Sequence, residues 1–402
     1  MHRHPIVIVG AGPAGASAAL HLHRLDPGLA ADAVVLEKAR HPRPKVCAGG
    51  LIPAALGCLK ELGIELTVPH VTVESARVAT PRRTLDEVDG ELCHVIRRDE
   101  FDASLVDACR GRGIRVREEE PVVEVDRDDH GVRLTTARGV YHARMVIAAD
   151  GSGSVIRRRL MGAGKEHIGR AVMSDVPVDE TDWDGFTARR YDFDFRELRR
   201  GMRGYRWAFP CLIAGRPHAN VGAYTLHPTG AQLDRALDDY LGELTRSPTR
   251  RVAFPIRWYG ERSRLAAAHV LFAGDAAGVD PLMGEGISLA LEYGAFAARA
   301  AVDALASGDL SGAAYEESIA RSWLGKKLRR LRMATRLFYG PTWPLWFGAA
   351  ERSRRLRKLG LRWYNGVDGW DRVSGWHALR ALARGMEQRP ALPVPASQGR
   401  SS

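Results

Sequence analysis

The chain has 402 residues and a formal net charge of +11, a length that can bury large cores and predicts two closely joined domains. Its five cysteines are scattered without a Cys-x-x-Cys pair and its histidines lack ligand spacing, which predicts a reducing compartment, no disulfide framework and no metal site. No apolar run is long enough to span a bilayer and the N-terminus leads straight into a predicted strand, so we expect neither a transmembrane helix nor a signal peptide.

The first predicted element is a buried parallel strand over residues 5–9, a short β-branched run. It leads into the segment GAGPAG at residues 10–15 and then into a good helix former, the context that a dinucleotide fingerprint requires. Gly10 permits the tight turn, Gly12 lets the backbone approach a pyrophosphate, and Gly15 lets the helix pack closely on the strand. The N-terminus of this helix would present its N–H groups to the phosphates.

A second predicted strand over residues 33–36 ends at Glu37, an acid 22 residues beyond Gly15. A carboxylate at this distance can hydrogen-bond a ribose hydroxyl. The alternative is an ordinary glycine turn followed by a surface glutamate, which we reject because strand, turn, helix and acid all agree. The fingerprint alone does not distinguish FAD from NAD.

Residues 98–102 start a predicted helix with Asp99 as its cap, which places Arg98 near the cofactor. Further along, an apolar strand over residues 145–149 ends in Asp150-Gly151. An apolar strand that ends in Asp-Gly is common by chance, so this segment indicates a cofactor site only in combination with the other two segments.

The third and more specific segment begins with a strand over residues 270–273 that ends in Gly274-Asp275, an acid placed to bind a polyol chain. A glycine-rich stretch through Gly286 then opens a long predicted helix over residues 287–306. The N–H groups of this helix would stabilise negative charge on the pyrimidine edge of a reduced flavin. Glu285 is predicted either to touch the flavin or to cap this helix. In this order the three segments describe a cradle for FAD, and therefore a redox enzyme.

At this point the chain resembles the FAD-dependent glutathione-reductase-type superfamily, in its aromatic hydroxylase, halogenase and geranylgeranyl reductase branch. The resemblance covers residues 5 to about 310, and several local features look most like the geranylgeranyl reductases. Residues 43–50, RPKVCAGG, are similar to their cysteine–glycine segment, and residues 205–210, YRWAFP, match their Tyr-x-Trp-x-Phe-Pro signature. Gly278 stands where hydroxylases usually carry His, whereas Ala48 departs from the glycine that many members have after the cysteine.

The resemblance implies reduction of an isolated C=C bond in a prenyl chain, with hydride from the reduced flavin delivered to one carbon and a proton to the other. Such a site needs a positioned acid and a dry, apolar channel. Cys47 and Tyr205 are the two catalytic candidates, although a free cysteine is more often structural and the tyrosine hydroxyl could simply be hydrogen-bonded within the sheet. The other four cysteines are predicted to be structural.

Tyr205, Trp207 and Phe209 alternate along a predicted strand and share one face, so they form either an aromatic wall for the substrate or an ordinary sheet core. With Gly50 they make up the predicted substrate site. The predicted cofactor-binding residues are Gly10, Gly12, Pro13, Ala14, Gly15, Glu37, Lys38, Lys45, Cys47, Ala48, Gly49, Arg98, Val123, Asp150, Gly151, Gly274, Asp275, Pro281, Gly284, Gly286 and Ile287.

The predicted fold class is α/β, a Rossmann-like FAD-binding domain with an inserted antiparallel sheet and a helical C-terminal region. Residues 1–165 and 265–320 are assigned to the FAD-binding domain, and residues 70–97 and 166–262 to the sheet that binds substrate. In that sheet the predicted strands are 170–178, 187–195, 204–213 and 218–226. Residues 321–386 are predicted to be helical and residues 387–402 to form a frayed tail.

The stretch from residue 321 to residue 384 holds 16 Lys and Arg against three acids, so the remainder of the chain is slightly acidic. The same stretch holds six of the nine tryptophans. Basic residues interleaved with Trp and Leu predict helices that lie on an anionic membrane surface, here the inner face of the cytoplasmic membrane. The alternatives are a solvated basic cap and, with less support, a nucleic-acid surface; we predict no nucleic-acid partner.

The leading functional hypothesis is a reductase of a geranylgeranyl-type chain, carried by a diphosphate, a quinone, a chlorophyll or an ether lipid. One alternative is an FAD-dependent aromatic monooxygenase or halogenase, and another is a flavin-bound quinone or assembly protein without turnover. Because the chain has no second dinucleotide fingerprint, the predicted electron donor is transiently bound NADPH or a ferredoxin-like carrier. An acidic carrier protein would dock on the basic surface.

Overall fold

The computed structural model describes residues 2–162, 167–179, 183–227, 230–245 and 250–366. The strands are β1 His2–Val9, β2 Val34–Leu36, β3 Gly50–Leu51, β4 His70–Ala79, β5 Thr84–Ile96, β6 Arg115–Arg117, β7 Val122–Asp128, β8 Gly131–Thr136, β9 Gly139–Ala148, β10 Ile168–Pro177, β11 Arg190–Asp194, β12 Gly204–Ile213, β13 Arg216–Thr225, β14 Val252–Arg257, β15 Ala266–Ala267 and β16 Val270–Phe272. The helices are α1 Pro13–Leu25, α2 Pro27–Asp32, α3 Pro53–Glu61, α4 Arg98–Gly111, α5 Val155–Met161, α6 Gly230–Leu244, α7 Ile287–Ser307, α8 Ala313–Arg321, α9 Trp323–Tyr339, α10 Trp343–Arg352 and α11 Arg354–Asn365.

The first sheet has the strand order β15-β16-β9-β1-β2-β6, with β7 and β8 attached through β9. Strand β1 is parallel to β2 and β9, and β9 is parallel to β16. In this register Val9 lies beside Ala148, and Ala148 lies beside Phe272. The three strands that precede the predicted cofactor segments are therefore neighbours, and the segments leave the same edge of the sheet.

The second sheet has the order β14-β10-β13-β12-β11-β4-β5-β3, antiparallel except where β11 runs parallel to β4. Strand β3 lies outside the ranges predicted for this sheet and joins it because Gly50 pairs with Val95 of β5. The predicted strand 187–195 is shorter, since Arg189 adopts a left-handed backbone conformation and β11 begins only at Arg190. Aromatic side chains line one face of this sheet, and α6 packs on the other.

Helices α9 to α11 cover part of the aromatic face, where Leu331, Tyr339 and Phe347 join its core. Ser322 and Ser353 cap the starts of α9 and α11 through hydrogen bonds to backbone N–H groups. These helices lie in the region predicted to be helical; residues 367–386 of that region, and the predicted tail 387–402, lie outside the described residues. Among the helices of the described part of the chain, none is long and apolar enough to cross a membrane. The α/β fold class and the helical character of the described C-terminal region are thus confirmed.

Candidate active site

A cavity of about 550 Å³ lies between the carboxyl edge of the first sheet and the aromatic face of the second. Of the predicted cofactor residues, those that line it are Gly10, Gly12, Pro13, Ala14, Glu37, Lys38, Lys45, Cys47, Ala48, Gly49, Arg98, Asp150, Gly151, Gly274, Asp275, Gly284, Gly286 and Ile287. The predicted substrate residues Gly50, Tyr205, Trp207 and Phe209 line the same cavity. Residues from both predicted groups therefore meet in one space.

The glycine turn after β1 has room for a ligand but not for side chains. Gly10 has a φ of +100°, and a Cβ atom there would lie 2.3 Å from the carbonyl oxygen of Ala149. A Cβ atom on Gly15 would lie 1.8 Å from the carbonyl oxygen of Gly10, so helix α1 touches the turn directly. Gly12, the residue that caps α1, offers no side chain to the first N–H groups of the helix. These groups are available to a phosphate ligand.

Glu37 is buried, with 3% of its surface exposed, and it faces the cavity rather than the solvent. One carboxylate oxygen accepts a hydrogen bond of 2.7 Å from the N–H group of Ala11, and the other accepts one of 3.0 Å from that of Ala39. A carboxylate has about four lone-pair positions, so Glu37 can still accept bonds from ribose hydroxyls.

Two acids follow the other strands of the cavity edge. Asp150 accepts a bond of 2.8 Å from the N–H group of Val155 through one carboxylate oxygen. Its other oxygen is buried without a hydrogen-bond partner, and burial raises the pKa of Asp150. Asp275 accepts a bond of 3.0 Å from Ser152. An orphaned buried carboxylate oxygen calls for a hydroxyl or amide donor, which the polyol, ribose and flavin ring of FAD can supply.

Arg98 begins α4 and lies at the cavity wall, where it donates two hydrogen bonds of 2.8 and 2.9 Å to the fully buried Asp102. Burial acts to lower the pKa of Arg98, but the charge of Asp102 and its hydrogen bonds with Arg98 act against it, and that pKa lies above its ordinary value. The predicted cap is wrong: α4 starts one residue earlier than Asp99, with Arg97 in the capping position and no side-chain bond to the helix.

Glu285 accepts hydrogen bonds from both the N–H group and the hydroxyl of Ser288 in the first turn of α7, at 2.8 and 2.7 Å. The Nζ atom of the buried Lys327 also donates to the Ser288 hydroxyl, at 3.1 Å. Glu285 lines the cavity as well. Glu285 therefore binds the first turn of α7, which is one of its two predicted roles. Because its side chain also lines the cavity, a ligand can still reach it.

The aromatic wall is larger than the predicted strand alone. Tyr191 and Phe193 of β11 line the cavity beside the aromatic residues of β12. The ring of Phe209 stacks on Tyr191 at 5.2 Å and meets Phe193 edge-on at 5.4 Å. Tyr205 donates its hydroxyl to the carbonyl oxygen of Met283 at 2.5 Å, and burial raises its pKa. This bond occupies the proton that was predicted to be available for catalysis.

The Cys47 thiol is partly buried, and its sulfur accepts a bond of 3.4 Å from the N–H group of Gly49. Gly49 has a φ of +81°, and a Cβ atom there would lie 2.0 Å from the carbonyl oxygen of Ile96. Nearby, the Nζ atom of Lys45 lies 3.3 Å from the ring centre of Phe254, and burial lowers the pKa of Lys45 to about 8. The cysteine segment therefore lies close against the second sheet at the cavity wall.

Three predicted cofactor residues do not line the cavity. Gly15 packs against the glycine turn, and the carbonyl oxygen of Pro281 accepts a bond from Tyr224 at 3.3 Å. The side chain of Val123 is 50% exposed and outside the cavity, at a register shift of β7 between Val122 and Glu124, whereas its neighbour Val122 is buried and lines the cavity.

Sequence reasoning also missed several cavity residues. Cys93, predicted to be merely structural, lines the cavity, and so do Tyr364 and Asn365 at the end of α11. The alternation of residues along β5 could have pointed to Cys93. No local pattern connects α11 to the flavin segments, since the fold alone brings them together.

Comparisons with known proteins agree with this geometry. The sequence model described as FAD binding domain matches residues 3–300. Digeranylgeranylglycerophospholipid reductase 1 of Methanopyrus kandleri is 31% identical over 76% of this chain and 82% of its own. Menaquinone reductase of Mycobacterium tuberculosis is 29% identical over 96% of this chain and 97% of its own. The structure of a geranylgeranyl bacteriochlorophyll reductase-like protein of Thermoplasma acidophilum superposes with a TM-score of 0.75, at 23% identity over 96% of this chain and 97% of that one.

Proposed function

The chain belongs to the FAD-dependent geranylgeranyl reductase family and is an FAD-dependent oxidoreductase acting on C=C bonds, and we propose that it saturates an isoprenoid chain. This chain would lie in the aromatic arm of the cavity, the part lined by Tyr191, Phe193, Tyr205, Trp207 and Phe209. One observation carries the proposal: the glycine cradle and the apolar wall lie in a single continuous space. Bound FAD, once reduced, supplies hydride to one carbon of the double bond. The residues of the chain then have to bind, orient and protonate the substrate.

The residues around the glycine turn would hold the cofactor. The turn and the start of α1 would bind the diphosphate, Glu37 a ribose, and Asp275 the polyol chain. The orphaned oxygen of Asp150 would accept from a donor group of the bound cofactor. The first turn of α7 would lie near the pyrimidine edge of the ring, where its N–H groups favour the reduced anion.

The aromatic arm is suited to an alkyl chain without polar groups. Tyr191, Phe193 and Phe209 pack ring against ring along it. The Tyr191 hydroxyl is the one polar side-chain group among these three, and it lies 3.5 Å from the Asn365 amide. An isolated double bond has no carbonyl group to grip, so apolar contact is the interaction that can bind and align it. The relatives named for a lipid and for a quinone support two carriers of such a chain, an ether lipid and a prenylated quinone.

We also propose that the C-terminal helices rest on anionic lipid at the inner face of the cytoplasmic membrane. Arg329, Met333 and Arg336 are exposed and share one face of α9, because they are four and three residues apart. Leu345 of α10 is 70% exposed and Met333 is 57% exposed, so both side chains are open to contact with lipid. An apolar tip flanked by positive charge is complementary to an anionic lipid surface, and this surface would bring the enzyme to its lipid substrate.

The electron donor is proposed to be transiently bound NADPH or a ferredoxin-like protein. A negatively charged carrier would be attracted by the same excess of basic residues between positions 321 and 384. The donor and the membrane would then compete for the basic surface unless they use different parts of it.

The function is tested by reducing the purified flavoprotein chemically under anaerobic conditions and adding geranylgeranyl diphosphate, a short menaquinone or a digeranylgeranyl phospholipid. We expect one of them to gain pairs of hydrogen atoms by mass, and Cys47→Ala to slow that gain. Cys109→Ala, a change at a buried cysteine outside the cavity, is the matched control and should reduce the chain at the wild-type rate. Oxygen-dependent hydroxylation or halogenation of an aromatic compound, without prenyl reduction, would contradict the proposal.

A further inference from the structure

The loop that precedes α7, residues 280–284, is surrounded by tyrosine hydroxyl groups. Tyr205 donates to the carbonyl oxygen of Met283, as described above. Tyr339 donates to that of Leu282 at 2.6 Å, and Tyr224 donates to that of Pro281 at 3.3 Å. A phenol that donates to a backbone carbonyl group fixes a loop, but it has no ionisable partner from which to regain a proton.

Tyr364 differs from these three tyrosines. Its hydroxyl lies 3.5 Å from a carboxylate oxygen of Asp280, and its side chain lines the cavity. Among the tyrosines that meet this loop in the described part of the chain, it is the one whose hydroxyl faces an acid. A distance of 3.5 Å is at the outer limit of a hydrogen bond, and catalytic bonds of this kind often shorten once substrate is bound.

The position of Tyr364 is set by the anchoring of α11 on the second sheet. Arg357 and Arg354 donate to the buried carboxylate of Glu87 on β5, at 2.5 and 3.2 Å. At the other end of the helix the Asn365 amide lies 3.5 Å from the hydroxyl of Tyr191. These contacts anchor α11 on the second sheet, and Tyr364 lies at the cavity wall with its hydroxyl toward the loop before α7.

Asp280 is fully buried, and its carboxylate accepts bonds of 2.6 and 3.1 Å from the N–H groups of Leu282 and Met283. Burial raises the pKa of Asp280 to about 7, although these two N–H groups act to lower it. Glu285 raises this pKa further and Lys327 lowers it. A substantial fraction of Asp280 therefore carries a proton at neutral pH.

The phenols around Asp280 stay protonated over the same range. Burial raises the pKa of Tyr364 well above its ordinary value, and the charges of Asp280 and Glu285 raise it further. The pKa values of Tyr205, Tyr224 and Tyr339 are raised in the same way, by burial first. The carboxyl group of Asp280 is thus the titrating member of this cluster near pH 7.

We propose that Tyr364 and Asp280 form the acid pair that protonates the substrate double bond, an inference that rests on the proposed prenyl reduction. Tyr364 gives its phenolic proton to one alkene carbon while hydride, with its two electrons, arrives at the other from the reduced cofactor. The π bond is lost and two C–H bonds form. The carboxyl proton of Asp280 passes to the phenol oxygen of Tyr364 in the same step, so the pair is active only while Asp280 is protonated. The resulting carboxylate regains a proton from water between turnovers.

The test compares Tyr364→Phe and Asp280→Asn with a control, Tyr339→Phe, which removes a buried hydroxyl of α9 that donates to the same loop but does not line the cavity. Each protein is reduced anaerobically, mixed with geranylgeranyl diphosphate, and followed by flavin reoxidation and by product mass from about pH 5 to about pH 9. We expect the wild-type rate to fall about tenfold per pH unit above the pKa of Asp280, since the protonated form is the active one.

Tyr364→Phe should slow the reduction by about a hundredfold or more, the usual worth of a positioned general acid. Asp280→Asn should remove the decline above neutral pH, because no carboxyl group is left to lose its proton. Tyr339→Phe should keep the wild-type rate and pH profile. Wild-type rates and profiles in both Tyr364→Phe and Asp280→Asn would overturn the acid pair while leaving the proposed function intact.

A second readout needs no turnover. In oxidised holoenzyme labelled with ¹³C at the tyrosine ζ carbon, the Tyr364 signal, assigned by its loss in Tyr364→Phe, should shift as Asp280 titrates near pH 7. In Asp280→Asn the signal should not respond. A Tyr364 signal that ignores pH in the wild type overturns the pairing, even if no prenyl substrate is reduced at all. Failure of the wild type to reduce any prenyl chain, in contrast, counts against the proposed function.

Discussion

At the scale of single residues, Glu37 connects the glycine turn after β1 with the loop after β2. Its carboxylate binds the N–H groups of Ala11 and Ala39, so it clasps the glycine turn to the loop after β2 while it faces the cavity. A neutral amide would keep the size of this side chain but lose its charge and one acceptor. The structure gives Glu37 a structural role, and substitution can separate that role from the proposed role in binding the cofactor.

We predict that Glu37→Gln raises the dissociation constant for FAD about tenfold or more, since a hydrogen bond to a charged group contributes about 1.5–3 kcal/mol. The measurement is a fluorescence-quenching titration of apoprotein with FAD. Glu124→Gln on the exposed side of β7 is the control and should bind FAD like the wild type. Wild-type affinity in a correctly folded Glu37→Gln would reduce Glu37 to a clasp of the turn.

At the scale of elements, α1 and the glycine turn are in direct contact, with no space between them for a methyl group. Gly15→Ala would drive a Cβ atom into the Gly10 carbonyl group, whereas Gly57→Ala on the exposed face of α3 has open space around it. We predict that Gly15→Ala lowers the free energy of unfolding by about 1–3 kcal/mol or more and releases flavin. Gly57→Ala should raise it by up to about 1 kcal/mol, because alanine is the better helix former.

Thermal unfolding with and without added FAD, together with the ratio of flavin to protein after purification, measures both effects. The two variants share the same chemical change, so a difference between them reports packing and not helix propensity. If Gly15→Ala retained flavin and stability, the close approach of α1 to the turn would not be required for the site.

The same elements show what a sequence can predict. Residues 5–15 form strand, turn and helix because each of these is specified locally, by β-branched residues, glycines and alanines in order. Strand β12 has the predicted bounds, Gly204–Ile213, because the alternating aromatic residues Tyr205, Trp207 and Phe209 mark a strand in the sequence itself. The parallel pairing of β11 with β4 was not predictable, because it joins strands that lie far apart in the chain and depends on the whole sheet.

At the scale of the whole molecule, the site is assembled from distant parts of the chain. The three cofactor segments were predictable because each follows a strand, and parallel strands deliver their carboxyl ends to one edge. The contact of Tyr364 with Asp280 spans 84 residues and crosses from helix α11 to the loop before α7. The segment that contains Tyr364 was predicted only as part of a membrane surface. The composition of a helix indicates what its exposed face can bind, but it does not indicate which residues its buried face contacts.

The C-terminal helices therefore combine two roles, which also determines how the membrane proposal has to be tested. Deleting residues from 321 onward would not be a clean experiment, because Leu324, Leu328 and Leu331 are buried in the core. Substitution of exposed side chains leaves that core in place. The double variant Met333→Glu, Leu345→Glu removes the two large exposed apolar side chains of α9 and α10 and adds negative charge.

We predict that this double variant binds vesicles of phosphatidylglycerol at least about tenfold more weakly than the wild type in a sedimentation assay, because each substitution exchanges apolar contact for repulsion by the anionic surface. Wild-type binding should also weaken as salt is added, since about 1 kcal/mol per basic residue near the surface is electrostatic. Val123→Glu, at an apolar position of β7 that is 50% exposed, is the control and should bind as the wild type does. Equal loss in the control would indicate a non-specific charge effect, and undiminished binding of the double variant would place the lipid contact elsewhere on the molecule.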